Sequence, residues 1–188
     1  MTETQITVIR SRRKTIGIQI KPDGSVLVRA PYGVSEVTIR RGINEKRAWI
    51  DRQRKKLAEE KREAEEAGKL TYDEIKKLAD EALRVIPPKA AAYAKKIGVT
   101  YGRITIRNQK TRWGSCSSKG NLNFNCLLML APEKVLDSVI VHELCHRKEM
   151  NHSKAFYDEV LRVFPEYHEC HAWLREHGPA LLRRMADD

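Results

Sequence analysis

The chemistry of this 188-residue chain is concentrated in Val141-His142-Glu143-Leu144-Cys145-His146. Histidines four apart share one helix face about a turn from each other, so both imidazoles can reach one metal ion. Glu143 points about 100° round the helix from His142. From there its carboxylate can touch a water at the metal without being a ligand, which is the position of a general base. A catalytic zinc normally has three protein ligands and one open position. His152 is the candidate for the third. Asn151 before it tolerates a left-handed turn, and Ser153 after it can cap a helix. The chain would leave the metal helix, reverse, and bring His152 back to the same ion. His168 and His171 are rivals, in company with Glu166, Glu169 and Cys170, but that group reads better as the polar face of a later helix.

Such a motif works only on a helix, and its flanks predict one from Glu133, just after Pro132, to about Lys148. On a helical wheel with His142 at zero, Val135, Leu136, Val139 and Ile140 fall between roughly 20° and 160°. Glu143 and His146 lie in or at the edge of that apolar sector. Ionisable groups on a buried face are costly unless paired, and a metal with its water would supply the partner. Two shorter helices are expected near 153–163 and 166–177.

Upstream, period-two alternation of Ile6, Val8, Ile16, Ile18, Ile20, Val26 and Val28 predicts strands, with Lys21-Pro22-Asp23-Gly24 as a hairpin turn. Ser35 can open a long amphipathic helix whose seam is Ile43, Ile50 and Leu57, ending near Gly68. A second helix starts at Thr71, with Glu74 at capping-box spacing. Pro87-Pro88 is expected to interrupt it before it resumes to Lys96, and Gly98 ends it. Strands return at 99–107, around Trp113, and at 122–124, with Lys119-Gly120-Asn121 as a turn.

Composition narrows the class. The longest apolar run, 126–131, is far short of the ~18 residues of a membrane span. The first residues hold no apolar secretory core. Cys116, Cys126, Cys145 and Cys170 form no C-x-x-C pair, which argues against a disulfide scaffold or thiolate zinc knuckle and suits the cytoplasm. Thirty-six Lys and Arg against 25 Asp and Glu leave a net charge of +11. That favours anionic partners, nucleic acid included. The alternative is that these cations merely solubilise long helices.

HELCHRKEMNHSKAFYDEVLRVFPEY, preceded by TRWGSCSSKGNLNFNCLLMLAP and, further back, RSRRKTIGIQIKPDGSVLVRAP, resembles the YgjP-like zincin family of metal-dependent hydrolases, and more distantly the SprT-like proteases. The resemblance covers most of the chain. It implies zinc, one per chain, held by His142, His146 and His152, with Glu143 as catalytic base. Tyr157 stands where many members carry tryptophan. The implied fold is α+β: an N-terminal antiparallel sheet with a long helix (1–70, accessory and substrate-facing), then a zincin-like module carrying the metal helix (71–188). Members are classed as peptidase-like, and a UTP pyrophosphatase activity is also attached to the group.

Between Tyr101 and Cys126 stand Arg103, Arg107, Lys110, Arg112 and Lys119, with no Asp or Glu. In zincin architecture this strand region borders the substrate cleft, where a peptide pairs by strand addition. Arg103, Arg107, Arg112, Trp113, Gly114 and Ser115 are therefore the expected substrate-binding residues. The cations point to an anionic substrate, unless they only protect an edge strand from aggregation. Trp113 reads first as a packing anchor. Three functions remain open: zinc-dependent peptide hydrolysis, nucleotide pyrophosphate hydrolysis with Mg²⁺ assisting, and a nucleic-acid-associated protein with a structural metal.

Overall fold

The computed structural model describes residues 5–185, and the chain divides into two compact units, Met1–Glu63 and Ala64–Asp188. In the first unit β1 (Ile6–Ser11), β2 (Gly17–Ile20) and β3 (Val26–Pro31) form a sheet of order β1-β3-β2. β2 and β3 make the expected antiparallel hairpin, with Gly24 at φ 83° in its turn. β1, however, runs parallel to β3, Ile6 opposite Val26 and Ser11 opposite Pro31, so the sheet is mixed rather than antiparallel throughout. The cause lies in β3. Val26, Leu27 and Val28 are 0%, 6% and 0% exposed, buried on both faces, and only a central strand can satisfy that.

The expected single long helix is two: α1 (Glu36–Glu45), capped by the Ser35 side chain on Thr38 N–H, and α2 (Arg47–Ala67), with Lys46 between them. Ile39 and Ile50 pack with Val26, Val28 and Ala30 as the core of this unit.

The second unit carries α3 (Tyr72–Ile97), β4 (Ile104–Arg107), β5 (Gly114–Cys116), β6 (Leu122–Asn125), a 3₁₀ turn (Cys126–Leu130), α4 (Glu133–Cys145), α5 (Lys154–Val163) and α6 (Tyr167–Arg183). The fold is α+β, as expected. The capping box of Thr71 and Glu74 forms, but α3 runs through Pro87 and Pro88 without interruption. Each proline removes a helical N–H bond, to Leu83 and Arg84 respectively, and both of those residues are exposed, so water can serve the freed carbonyls. Meanwhile Ala82, Ile86, Ala90, Ala94 and Ile97 continue one buried stripe across the break. Tertiary packing overrides the local preference here.

The sheet order β4-β6-β5, with β4 parallel and β5 antiparallel to β6, repeats the pattern of the first unit. Again the buried strand, with Leu122 and Phe124 at 0% exposure, takes the centre. That leaves β5 at an edge. α4 was expected to be apolar on one face, but Val141, Leu144 and Cys145 are buried as well as the predicted sector, so it is the central helix of the unit. Among the described residues no helix is long and apolar enough to cross a membrane, and the four cysteines are free thiols.

α5 is tied back to the end of α4 by Glu159, which accepts from Lys148 at 2.6 Å and from Arg162 at 2.7 Å. The Arg162 hydrogen bond, then Lys148, hold the Glu159 carboxyl down to about 2. A lowered carboxyl pKa contributes stability above the unfolded value of ~4.3, lost as pH falls through about 2. Urea unfolding of wild type and Glu159→Gln should therefore differ by about 1–2 kcal/mol at pH 6 and converge towards pH 2. A pH-independent difference would mean that the carboxylate charge is not what braces this hairpin.

Candidate active site

α4 carries His142 and Glu143, and His146 caps it with α-helical dihedrals (φ −61°, ψ −13°), so the i, i+4 relation survives at the helix end. The chain then reverses. Arg147 N–H bonds Leu144 O, and Lys148 and Glu149 bond Cys145 O, before bends at Met150 and Asn151 lead through His152 to α5. Among the described residues no non-glycine has positive φ, so Asn151 makes no left-handed turn as the sequence had suggested. Ser153 does cap α5, accepting from Phe156 N–H at 3.2 Å.

These elements bring His142, His146 and His152 together, with one ligand nitrogen from each within 4.8 Å of the others. Three nitrogens at tetrahedral corners 2.0–2.1 Å from a zinc stand roughly 3.3 Å apart. His152 Nε2 and His142 Nε2 are 3.1 Å apart. The second nitrogens are occupied elsewhere: His146 Nδ1 bonds Glu149 O at 3.0 Å, and His142 Nδ1 bonds the Tyr167 hydroxyl at 2.9 Å. A ring whose Nδ1 is spent on a partner presents Nε2. Burial, then the neighbouring His146, His152 and His171, push the His142 imidazole down to about 3, and burial lowers His146 as well. Neutral imidazoles with converging lone pairs are what a divalent cation of zinc's type binds, so the donor set fits. No fourth His, Cys, Asp or Glu among the described residues joins the group.

Two positioning residues escaped the sequence reading. Phe156, fully buried at the start of α5, lies 4.9, 4.6 and 4.9 Å from the rings of His142, His146 and His152. Its signal was there in retrospect: an apolar residue one turn after the Ser153 cap must face the core. Tyr167 stacks on His142 at 5.8 Å and 15° besides bonding it, and burial raises its phenol. It is 25 residues from its partner, so no local pattern announces it. Loss of such an outer partner typically costs 10–100-fold in metal affinity. Tyr167→Phe should show that loss in a competitive chelator titration, with unchanged circular dichroism. Unaltered affinity would reduce Tyr167 to packing.

Glu143 is 6% exposed, and burial pushes its carboxyl up to about 8, with Arg112 opposing. Edge strand β5 presses against it: a Cβ on Gly114 would stand 2.6 Å from Glu143 Oε1 and 2.7 Å from Cγ. Glu143, His142 and Gly114 share a cleft of about 230 Å³ with Arg112, Trp113, Val139, Tyr167, His171 and others. Of the expected substrate residues, Arg112, Trp113 and Gly114 line it. Arg103, Arg107 and Ser115 do not: the two arginines are exposed at either end of β4, and Ser115 Oγ accepts from Asn123 at 3.1 Å. For the arginines the reason is the strand order, which puts β4 on the far side of β6. His171 lines the cleft wall beside Tyr167 rather than joining the three histidines.

The model of one protein family, described as YgjP-like, metallopeptidase domain, matches residues 14–78 and 66–177. The chain belongs to the YgjP-like family. It is a hydrolase. A curated relative, the UTP pyrophosphatase of Escherichia coli (strain K12), is 33% identical over 95 residues, 49% of this chain, which spans 57% of that relative. Among solved structures, the metallopeptidase zymogen of Pyrococcus abyssi abylysin is similar at 23% identity and a TM-score of 0.45, over 48% of this chain and 91% of that one. The zymogen of Methanocaldococcus jannaschii jannalysin is similar at 24% and 0.43, over 48% and 93%.

Proposed function

We propose that this YgjP-like hydrolase cleaves peptide bonds, with zinc held by His142, His146 and His152 and Glu143 as general base. The observation that carries the reading is the free edge of β5 beside Glu143. Trp113 O accepts from Asn125 N–H, Ser115 pairs with Asn123, and Ser117 N–H bonds Asn121 O, so these residues turn their main chain towards β6. By alternation the N–H and C=O of Gly114 and Cys116 face away from it. An extended peptide can add there as a strand, which sets its backbone alongside the carboxylate. Bound between the histidines, zinc supplies Lewis acidity that polarises the scissile group and acidifies the attacking water. Glu143 receives the proton and delivers it to the leaving nitrogen. Its burial, which favours the protonated form, suits it to holding that proton between the two steps. A three-protein-ligand set leaves room for substrate, unlike a closed structural site. The free thiols fit the cytoplasm as its compartment.

A second reading, phosphoanhydride hydrolysis of a nucleotide, draws on the name of the Escherichia coli relative and on Arg112. That guanidinium lines the cleft, where its charge acts on Glu143 and where it could grip phosphate or carboxylate. No acidic cluster for Mg²⁺ accompanies it among the described residues. The deciding experiment measures kcat/KM of the zinc-loaded chain for an unstructured peptide library and for UTP, against NaCl, in wild type and Arg112→Glu. Peptide turnover with a shallow salt profile is expected. UTP turnover alone, steeply salt-sensitive and lost in Arg112→Glu, would replace the first reading with the second.

A further inference from the structure

We propose that one end of the sheet in the first unit is a binding surface for single-stranded nucleic acid, held through its phosphates and by a base stacked on Tyr32. The inference concerns where the hydrolase is held and does not depend on which bond it cuts.

The net charge is unevenly placed. Residues 1–63 hold 16 Lys and Arg against 8 Asp and Glu, whereas residues 64–188 hold 20 against 17. The strand directions gather part of that excess. Ser11 lies opposite Pro31 and Gly17 opposite Arg29, so the exit of β1, the exit of β3 and the entry of β2 meet at one end of the sheet. Because β3 lies between its partners, the 12–16 connection has to cross that end, and it carries Arg12, Arg13 and Lys14 past Arg29 and Tyr32. Asp23, in the turn between β2 and β3, is at the opposite end, accepting from Ser25.

Two of these guanidinium groups are set side by side. Val26, Val28 and Ala30 pack with Ile39 and Ile50, so alternation turns Arg29 to the other face of the sheet. Gly17 is its cross-strand neighbour, and Arg13 occupies the space a side chain there would need: a Cβ on Gly17 would stand 2.9 Å from Arg13 Nη2 and 3.2 Å from Nη1. Like charges opposed across strands repel. Yet Arg29 bonds the neutral Gln19 at 3.0 Å, and Arg13 Nε is buried with no hydrogen-bond partner. An anion between the two would relieve both, and phosphate matches the guanidinium fork. Arg12 and Lys14 are exposed on the same connection, so a run of phosphates fits better than a single one. Glu36 pairs with Arg10 at 3.9 Å but is largely in solvent, where such a pair is worth little.

Tyr32 separates a nucleic acid from other polyanions. Arg10 clamps its turn, donating to the carbonyl oxygens of Pro31, Tyr32 and Val34 at 3.3, 3.2 and 2.6 Å, while Tyr32 is left 66% exposed. An open aromatic on a fixed turn beside cations is a platform for an unpaired base, whereas a duplex keeps its bases stacked on one another.

The test titrates a labelled oligothymidylate of about 12 nucleotides with the full zinc-loaded chain at roughly 50–200 mM NaCl, followed by anisotropy. Four phosphate contacts should give a log–log salt slope of about −3. Arg12→Gln/Lys14→Gln, at two exposed positions, should weaken binding about 10–30-fold and roughly halve that slope. Tyr32→Ala should weaken it about 5–100-fold at an unchanged slope, because a stack carries no charge, and Tyr32→Phe should restore it. Lys76→Gln/Lys77→Gln, which removes two exposed cations from α3 in the other unit, should change neither quantity. Absence of binding at the lowest salt overturns the proposal, as does equal weakening by the Lys76/Lys77 pair. So does competition by the same strand in a duplex, by polyglutamate or by phosphatidylglycerol vesicles that matches the single strand at equal charge.

Discussion

Glu143→Gln is expected to lower turnover by ~10²–10⁴-fold while fold and zinc content stay at wild-type levels. Glutamine keeps the shape and one carbonyl oxygen but cannot accept a proton, so only the chemical step should suffer. The site makes this a clean substitution. Glu143 is no member of the histidine cluster, so the substitution takes no nitrogen away from the metal. The companion is Gly114→Ala. Its Cβ would meet Glu143 Oε1 and Cγ at 2.6 and 2.7 Å, distances no packed structure tolerates, so the carboxylate or β5 must move. A displacement of about 1 Å can cost 10²-fold. Gly114 is not in the left-handed region, so backbone strain is no part of this effect. Kinetics at saturating zinc, with metal content measured on the same samples, is the readout. Wild-type rates in metal-replete Glu143→Gln would remove it as the base, whichever substrate is used.

The sequence carried the metal helix because His142, Glu143 and His146 lie within five positions, where helical periodicity alone fixes their relation. His152 was legible for a related reason: a cap residue follows it, so the chain must turn there. Tyr167 and Phe156 were not legible, since their roles depend on α5 and α6 folding back over α4. The same distinction separates the strands. Alternation located β1 to β3, but the parallel pairing of β1 depends on which strand is buried on both faces. Strand order also sorted the basic run: Arg112 reaches the cleft from the segment leading into β5, while Arg103 just before β4 and Arg107 at its end lie across the sheet from it. The local rule that failed, at Pro87-Pro88, failed because an uninterrupted apolar stripe and solvent-facing carbonyls made the helix worth continuing.

His152→Ala should lose most of the zinc, from about one equivalent per chain to a small fraction, because two imidazoles make a poor site for this ion. Of the three histidines it gives the least ambiguous test. His146 is buried and packs on Phe156, and His142 is anchored by Tyr167, so removing either also disturbs the interior. His152 is exposed, in a loop already held by the Ser153 cap, and alanine there leaves no cavity. Thermal stability without metal should therefore be nearly unchanged, while the stabilisation that added zinc gives the wild type should largely vanish, since a ligand stabilises only in proportion to how tightly it binds the folded state. His171→Ala and His168→Ala are the controls. His171 stands beside Tyr167 on the cleft wall and contributes no nitrogen to the cluster, so its loss should leave zinc content intact. Elemental analysis after dialysis against a weak chelator separates the cases. Full zinc in His152→Ala, or its loss in His171→Ala, would move the third ligand from the loop after α4 to the face of α6.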